Sequence, residues 1–304
     1  MNKKTQSDYI KLAKNFYETR LANDDITPKK ITDALKNCAD EYRPAYWRKL
    51  RNALAYEQTV QGFKKSADRI NETKNPLTAA DAPLMLKRKI KPKQKRVKSI
   101  KQDDYSKVLS KLNKDDKELQ AALTIANLVG CRPAEMLNIE VDLPYEITIK
   151  GAKINEKGDR GLDRKLTLNY QDTFDIEQAV NTLRMGDTDN FKTDIMHRIQ
   201  TRLDTLTKSV FPRRKAQMTL YSFRHQLGSN LKASGLSRVE IAYIMGHQST
   251  KSVSVYGDRR TANSKIAVTS AITLSEQQSL IRVNHVNSHK IHTPVHQNSH
   301  DFTL

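Results

Sequence analysis

Cysteine is nearly missing from this chain of 304 residues: Cys38 and Cys131 are the only two, and neither has the neighbouring cysteine or histidine of a metal motif. No disulfide framework and no metal motif at either cysteine is therefore implied, and a reducing, cytoplasmic setting is expected. Long apolar runs are missing as well. No stretch approaches the ~18 residues of a membrane span, and the opening "MNKKTQSDYIKLAKNFYETR" has lysines with no apolar core behind them, so neither a spanning helix nor a secretory signal is expected. Acidic residues are in short supply, since 34 Asp and Glu stand against 53 Lys and Arg and leave a formal charge of +19. That exceeds what solubility requires and points to a polyanionic partner. The charge is spread along the chain and not gathered on one amphipathic helix, which favours nucleic acid over a membrane surface.

Residues 5 to 72 have helical spacing, with Tyr9, Leu12 and Phe16 and then Ile31, Leu35, Cys38 and Tyr42. In "YRPAYWRKLRNAL", Trp47, Leu50 and Leu54 fall on one side and Arg43, Arg48, Lys49 and Arg51 around the others, an apolar face with a basic flank. A small helical bundle is the natural reading. "NPLTAADAPLMLKRKIKPKQKRVKSIK" comes next, with nine basic residues and no acid between Lys87 and Lys101. Such a run repels itself and buries no core, so an extended linker lying along DNA phosphates is expected, through Lys87, Arg88, Lys89, Lys91, Lys93, Lys95 and Arg96. A solvated tether is the plainer alternative.

From residue 103 the pattern is mixed. A helix from about Asp116 should stop at Gly130, and Pro133 suits the first position of a new one through "AEMLNIEV". "YEITIKGAKINEKGDRGLDRKLTLNY" alternates as a β-hairpin around a long loop, and 173–208 return to helical spacing. "TLYSFRHQLGSNLKASG" places Leu220, Phe223, Leu227 and Leu231 on one helix face and stops at Gly235. "SRVEIAYIMG" carries a capping box, Ser237 with Glu240, and stops at Gly246. The polar end holds His285, His289, His292, His296 and His300 with no second ligand set, and a flexible tail is expected. The fold expected is mainly α with a small β-hairpin or sheet. It divides into a helical domain over 1–75, a basic linker over 76–102, a second domain over 103–274 and the tail over 275–304.

A few polar residues sit at positions where chemistry is possible. Arg132 lies between a helix end and the next helix start, where its guanidinium and free N–H groups could meet one anion, although it could equally cap carbonyls beside Glu135. Arg224 follows Tyr221 by three residues, and both are expected beside the leucine stripe and not within the core. His247 directly follows the Gly246 stop, where histidines often only cap carbonyls, and Tyr256 follows a short helix begun near Ser249. Singly each reads as structural. Together they supply what phosphoryl transfer without metal requires: two guanidiniums for the nonbridging oxygens, a hydrogen-bond donor and a hydroxyl nucleophile.

These residues resemble the tyrosine recombinases, the phage integrase family. "LVGCRPAEMLNIEVDL" looks like the family's first box, Gly-x-Arg-x-x-Glu, and "YSFRHQLGSNLKASGLSRVEIAYIMGHQSTKSVSVYG" looks like its second, with arginine, histidine and tyrosine in order and spacing. The resemblance implies a two-domain DNA clamp made of a helical core-binding domain and a catalytic domain. It implies Arg132 and Arg224 as the arginine pair, His247 as the second-box histidine and Tyr256 as the nucleophile. Lys153 is the best match for the hairpin-loop lysine, with Lys150 and Lys157 nearby. One position departs: the family usually has histidine three residues before the second arginine, and this chain has Tyr221, which mainly donates a hydrogen bond where an imidazole can take a proton.

The resemblance further implies strand cleavage through a 3′-phosphotyrosine, with no cofactor, metal or ATP, on double-stranded DNA carrying recombination sites. It implies a homotetramer docked through a C-terminal segment, for which "RRTANSKIAVTSAITL" as a helix is the candidate, acting on nucleoid-associated DNA. The early start of the core-binding-like segment suggests that no extra arm-binding domain precedes it. Type IB topoisomerases and hairpin telomere resolvases share the chemistry, and a DNA-binding protein without catalysis is the alternative of another class.

Overall fold

The structure, a computed structural model, describes residues 1, 3–21, 26–92, 95–152, 161–187, 194–263 and 266–283. Two compact units divide the chain, Met1–Gln94 and Lys95–Leu304. No described helix is long and apolar enough to cross a membrane.

The first unit is built from α1 (Lys3–Arg20), α2 (Pro28–Asn37), α3 (Pro44–Val60), α4 (Lys64–Glu72) and a single turn, α5 (Leu84–Lys87). Local chemistry sets the starts of its helices: Pro28 and Pro44 open α2 and α3, and Thr27 accepts the Lys30 N–H at 3.3 Å. Phe16, Ile31, Leu35, Trp47, Leu50, Leu54 and Ile70 form the core, and the Trp47 indole donates to the Leu35 carbonyl at 2.7 Å. The segment expected as an extended linker is partly folded onto this unit. Leu77 is buried, Leu86 and Ile90 pack against the core, Arg43 donates to the Pro92 carbonyl at 3.0 Å and Lys91 to that of Glu41 at 2.5 Å. Three apolar residues, Leu77 and Leu86 before the basic run and Ile90 within it, supply the burial that charge counting overlooks.

The second unit runs α6 (Gln102–Lys111), α7 (Lys117–Val129), a 3₁₀ turn at Pro133–Asn138, β1 (Ile139–Asp142), β2 (Glu146–Ile149), β3 (Arg164–Thr167), α8 (Tyr170–Gly186), α9 (Ile195–Val210), α10 (Leu220–Ala233), α11 (Arg238–Ile244), 3₁₀ turns at Thr250–Val255 and Arg259–Thr261, β4 (Thr269–Ser270) and α12 (Leu274–Leu280). The strands form one antiparallel sheet in the order β1-β2-β3-β4, with Ile139 opposite Ile149 and Ile147 opposite Leu166. Those four side chains face a core centred on α7, whose Leu119, Leu123, Ile125, Ala126 and Val129 are buried.

Three local expectations are corrected. Pro133 starts only a 3₁₀ turn, and "IEV" is strand β1, because Ile139 and Val141 pair with Ile149 and Ile147 across the sheet. "RRTANSKIAVTSAITL" is not one helix: its described residues include a 3₁₀ turn and strand β4, which pairs Thr269 and Ser270 with Thr167 and Leu166. The segment read as a tail from residue 275 begins as α12, capped by Thr273 and Glu276, with Gln277 and Ile281 buried. Arg282 continues it, accepting the Thr250 N–H at 3.2 Å and donating to Gln248 at 2.9 Å. The tail histidines lie outside the described residues.

Candidate active site

Several segments of the second unit build a cationic cluster that borders Tyr256. Helix α7 ends in the left-handed conformation at Gly130 (φ 50°), which turns the chain so that Arg132 follows in extended backbone. Glu135 closes the turn by accepting the Arg132 backbone N–H at 2.9 Å and the Arg132 Nη1 at 2.5 Å. Strand β3 adds a second guanidinium: the period of two that buries Leu166 also buries Arg164, whose Nη2 donates to Glu135 Oε2 at 2.9 Å. Helix α10 adds Arg224, 0% exposed, so it projects into the molecule and not beside the core as its helical position suggested. Its Nη1 donates to the Gly130 carbonyl at 3.2 Å, and its Nη2 donates to the Met245 carbonyl and meets His247 Nε2 at 3.2 Å.

His247 follows the left-handed Gly246 (φ 61°) at the end of α11, and Arg132 Nη2 reaches the Gly246 carbonyl at 3.3 Å. Tyr256 leaves the 3₁₀ turn with its ring 5.2 Å from the His247 ring, 5.1 Å from the His225 ring and 5.0 Å from the Arg224 guanidinium carbon. Two glycines let the tyrosine segment lie on α10. A Cβ on Gly228 would stand 3.2 Å from the Tyr256 backbone, and one on Gly257 (φ 66°) would stand 2.2 Å from the Ser229 nitrogen. Lys232 fixes the segment from the other side, donating to the carbonyls of Tyr256 at 2.5 Å and Gly257 at 2.9 Å.

The electrostatics are those of an anion site. Arg132, Arg164 and Arg224 against the single carboxylate of Glu135 give 3 − 1 = +2 in a buried cluster. Burial alone would raise the Glu135 carboxyl, but Arg164 and Arg132 hold it down at about 2. Burial and then Arg224, Arg132 and Arg164 push His247 down to about 3, so its imidazole is neutral at physiological pH. With Nε2 facing the Arg224 donor, the His247 proton lies on Nδ1, a buried atom with no hydrogen-bond partner. Arg224 Nε is likewise unpartnered, as are Arg164 Nε and Nη1. Arg164 lies under Gly246, its Nη1 2.6 Å from where a Cβ on that residue would be, so it supports the cluster from below.

Arg132, Arg224, His247 and Tyr256, four of the six residues picked out from the sequence, are thus brought together. Tyr221 is not: it is 43% exposed, with no hydrogen bond to the other four among the described residues. Lys153, like Lys157, lies outside the described residues, and Lys150 is paired with Glu140 at 3.2 Å. Of the residues expected on DNA, Arg48, Lys49, Arg88, Lys89, Lys95 and Arg96 are exposed and Lys87 and Arg51 half-buried, Arg43 and Lys91 hold the carbonyls named above, and Lys93 lies outside the described residues. Sequence reasoning missed Arg164 and Lys232, and it set aside His225, next to Arg224, as pointing elsewhere on the helix, whereas its ring packs against Tyr256. Only Arg164 had a visible signal, the alternation of "RKLTL" that sets it in phase with Leu166.

No family model matches the sequence, and no curated protein matches it either. Solved structures do match in fold. A lambda integrase dimer bound to a COC′ core site has TM-score 0.56 and 17% identity over 90% of this chain and 75% of that one. A lambda integrase tetramer bound to a Holliday junction has TM-score 0.55 and 17% identity over 87% and 74%. The Tn1549 transposon integrase in complex with a circular intermediate DNA has TM-score 0.56 and 13% identity over 85% and 90%. The fold, mainly helical with a small antiparallel sheet, is the fold of these integrases.

Proposed function

We propose that the chain is a site-specific DNA recombinase of the tyrosine type, with Tyr256 as nucleophile. The observation that carries the reading is the packing of Arg224 and a neutral His247 against the Tyr256 ring, with Arg132 bonded to the Gly246 carbonyl next to His247, in a cluster of net positive charge. The Tyr256 hydroxyl attacks the phosphorus of a phosphodiester. A phosphorus–oxygen bond to tyrosine forms, the bond to the 5′ oxygen breaks, and that oxygen leaves as a hydroxyl. One phosphodiester replaces another, so a partner strand's 5′-hydroxyl can reverse the step with neither ATP nor a metal in the scheme. Arg132 and Arg224 stabilise the developing charge on the nonbridging oxygens, and His247 donates from Nδ1. In this reading Lys153 protonates the leaving oxygen, and Tyr221 is a further donor to the phosphorane.

The +19 charge and the exposed cations of both units supply affinity for the duplex, which therefore falls steeply with salt. Four protomers on two sites is the assembly expected, as in the lambda integrase tetramer on its junction. The test uses duplexes nicked beside a randomised core, so that cleavage releases a short fragment and traps the protein on the DNA. Denaturing capture followed by sequencing and peptide mass spectrometry should recover a phosphotyrosine at Tyr256 and an enriched site. Absence of any denaturation-stable adduct defeats the enzyme reading, and an adduct that persists in Tyr256→Phe defeats the assignment of the nucleophile.

A further inference from the structure

Gln226 is buried on α10, and both polar atoms of its side chain are used to join stretches of chain that lie far apart in sequence. Its Oε1 accepts the Ile100 N–H at 2.8 Å. Its Nε2 donates to the Thr261 carbonyl at 2.8 Å, to Asn263 Oδ1 at 3.0 Å and to Asn230 Oδ1 at 2.9 Å. Asn263 closes the ring, because its Nδ2 donates to the Ile100 carbonyl and its backbone N–H to Asn230 Oδ1 at 3.1 Å. Ile100, 5% exposed at the end of the basic run, therefore has both of its backbone polar groups held by two amide side chains.

The stretches joined in this way differ in kind. The run that ends at Ile100 carries Lys98 and Arg96, which after burial itself most oppose protonation of His225 and so lie beside it. Residues 257–263 follow Tyr256 directly, and side chains of α10 hold their backbone. The Gly257 N–H donates to His225 Nδ1 at 3.5 Å, the Asp258 N–H donates to Ser229 Oγ at 2.9 Å, and Thr261 Oγ1 lies 3.0 Å from the same Ser229 oxygen. Each bond is weak in net terms, so no single one fixes the segment. A buried polar network gains its stiffness from being complete, and removing one member leaves the others short of a partner. We infer that Gln226 is a positioning residue for Tyr256: it couples the segment after the tyrosine to the docked end of the basic run, so that Tyr256 is held for attack only while Ile100 is in place. The consequence for rate rests on the recombinase reading above, and the coupling itself does not.

The test compares the full-length wild type with Gln226→Ala in two measurements. Hydrogen exchange resolved to single amides is followed without DNA. The Ile100 amide loses its acceptor in the variant, and exchange should rise at least about tenfold there and also at Gly257 and Asp258, whose amides Gln226 does not touch. Adduct formation on the nicked duplexes, under single-turnover conditions with saturating protein, should slow at least about tenfold with duplex affinity unchanged. Arg202→Gln breaks the ion pairs of Arg202 with Asp116 and Glu118, at the end of α7 away from Gly130; it should lower the melting temperature without slowing adducts, which separates positioning from stability. Gln226→Glu keeps the acceptor for Ile100 but turns a carboxylate oxygen toward three other oxygens; it should slow adducts as well and serves if Gln226→Ala fails to fold. Gly257 and Asp258 amides as protected in the variant as in wild type, or wild-type adduct rates in both Gln226 variants, overturn the inference. A wild type that forms no adduct removes the recombinase reading, and exchange at Gly257 and Asp258 still decides the coupling.

Discussion

Glu135→Gln tests whether one carboxylate holds the cationic cluster together. Glu135 is 0% exposed and accepts from the Arg132 backbone, the Arg132 guanidinium and the Arg164 guanidinium. A carboxyl held at about 2 against its ordinary 4.5 contributes about 3 kcal/mol of stability at neutral pH. Losing one partner of a buried ion pair costs a similar ~3–5 kcal/mol in general. The folded-state value is depressed, so the stabilisation is complete above about 4.5 and fades as pH falls toward 2. Urea unfolding followed by circular dichroism should therefore separate wild type from Glu135→Gln by about 3 kcal/mol at pH 7 and by only about 1 kcal/mol at pH 3. Trp47 emission supplies the control, because the sole tryptophan lies in the first unit, and its transition should not move with the substitution. A variant as stable as wild type at pH 7, or a difference that widens on acidification, would refute the account of the cluster.

Other substitutions probe the parts of the site one at a time. Arg224→Lys cannot reach the Gly130 carbonyl, the Met245 carbonyl and His247 together, and adduct formation in single-turnover gels should fall by ~10²–10³ with duplex affinity little changed. Gly228→Ala raises the intrinsic helix propensity of α10 by up to ~1 kcal/mol but sets a Cβ 3.2 Å from the Tyr256 backbone; cleavage should drop by at least about tenfold with no fall in melting temperature. His247, at about 3 in the folded chain and near 6.5 when unfolded, resists protonation on folding, so wild type should lose about 3 kcal/mol between pH 7 and pH 4 that His247→Gln does not lose. Equal acid sensitivity of the two proteins in urea melts would show that His247 is not the buried neutral group described.

The parts legible in the sequence are those with local causes. The left-handed Gly130 and Gly246, the Ser237–Glu240 capping box and the Trp47, Leu50 and Leu54 face all arise from residues within a turn or two of each other. The meeting of Arg132, Arg224 and His247 at Tyr256 was legible only as an ordered set, because no spacing rule joins α7 to α10 across 92 residues. Nonlocal pairing hid the rest. Strand β4 exists because β3, about a hundred residues earlier, lies beside it, and Arg282, just after α12, is held by Gln248 and Thr250, which precede it by some thirty positions. Arg164 was hidden for a different reason, since a charge on a short strand reads as a solvated face until its partner, Glu135, is known to be buried beneath it.

The departure at Tyr221 makes the fate of the Tyr256 proton a question about two imidazoles. His247 cannot easily receive it: its Nε2 faces an arginine donor, its free nitrogen already carries hydrogen, and three guanidiniums oppose a further positive charge. His225 lies as close, but its Nδ1 accepts the Gly257 N–H at 3.5 Å, which places its proton on Nε2 and leaves it a donor too. Burial, with Lys98, Arg96, Arg224 and Lys232 around it, lowers its affinity for a second proton. Among the described residues, then, neither ring beside Tyr256 is set to become an imidazolium, and both are set to donate. The pH profile of adduct formation carries the consequence. The rate should show no rise that tracks deprotonation of an imidazole, and His225→Asn should leave the shape of the profile unchanged while lowering the rate. A sigmoidal rise that vanishes in His225→Asn would instead identify His225 as the base, in the place that Tyr221 leaves open.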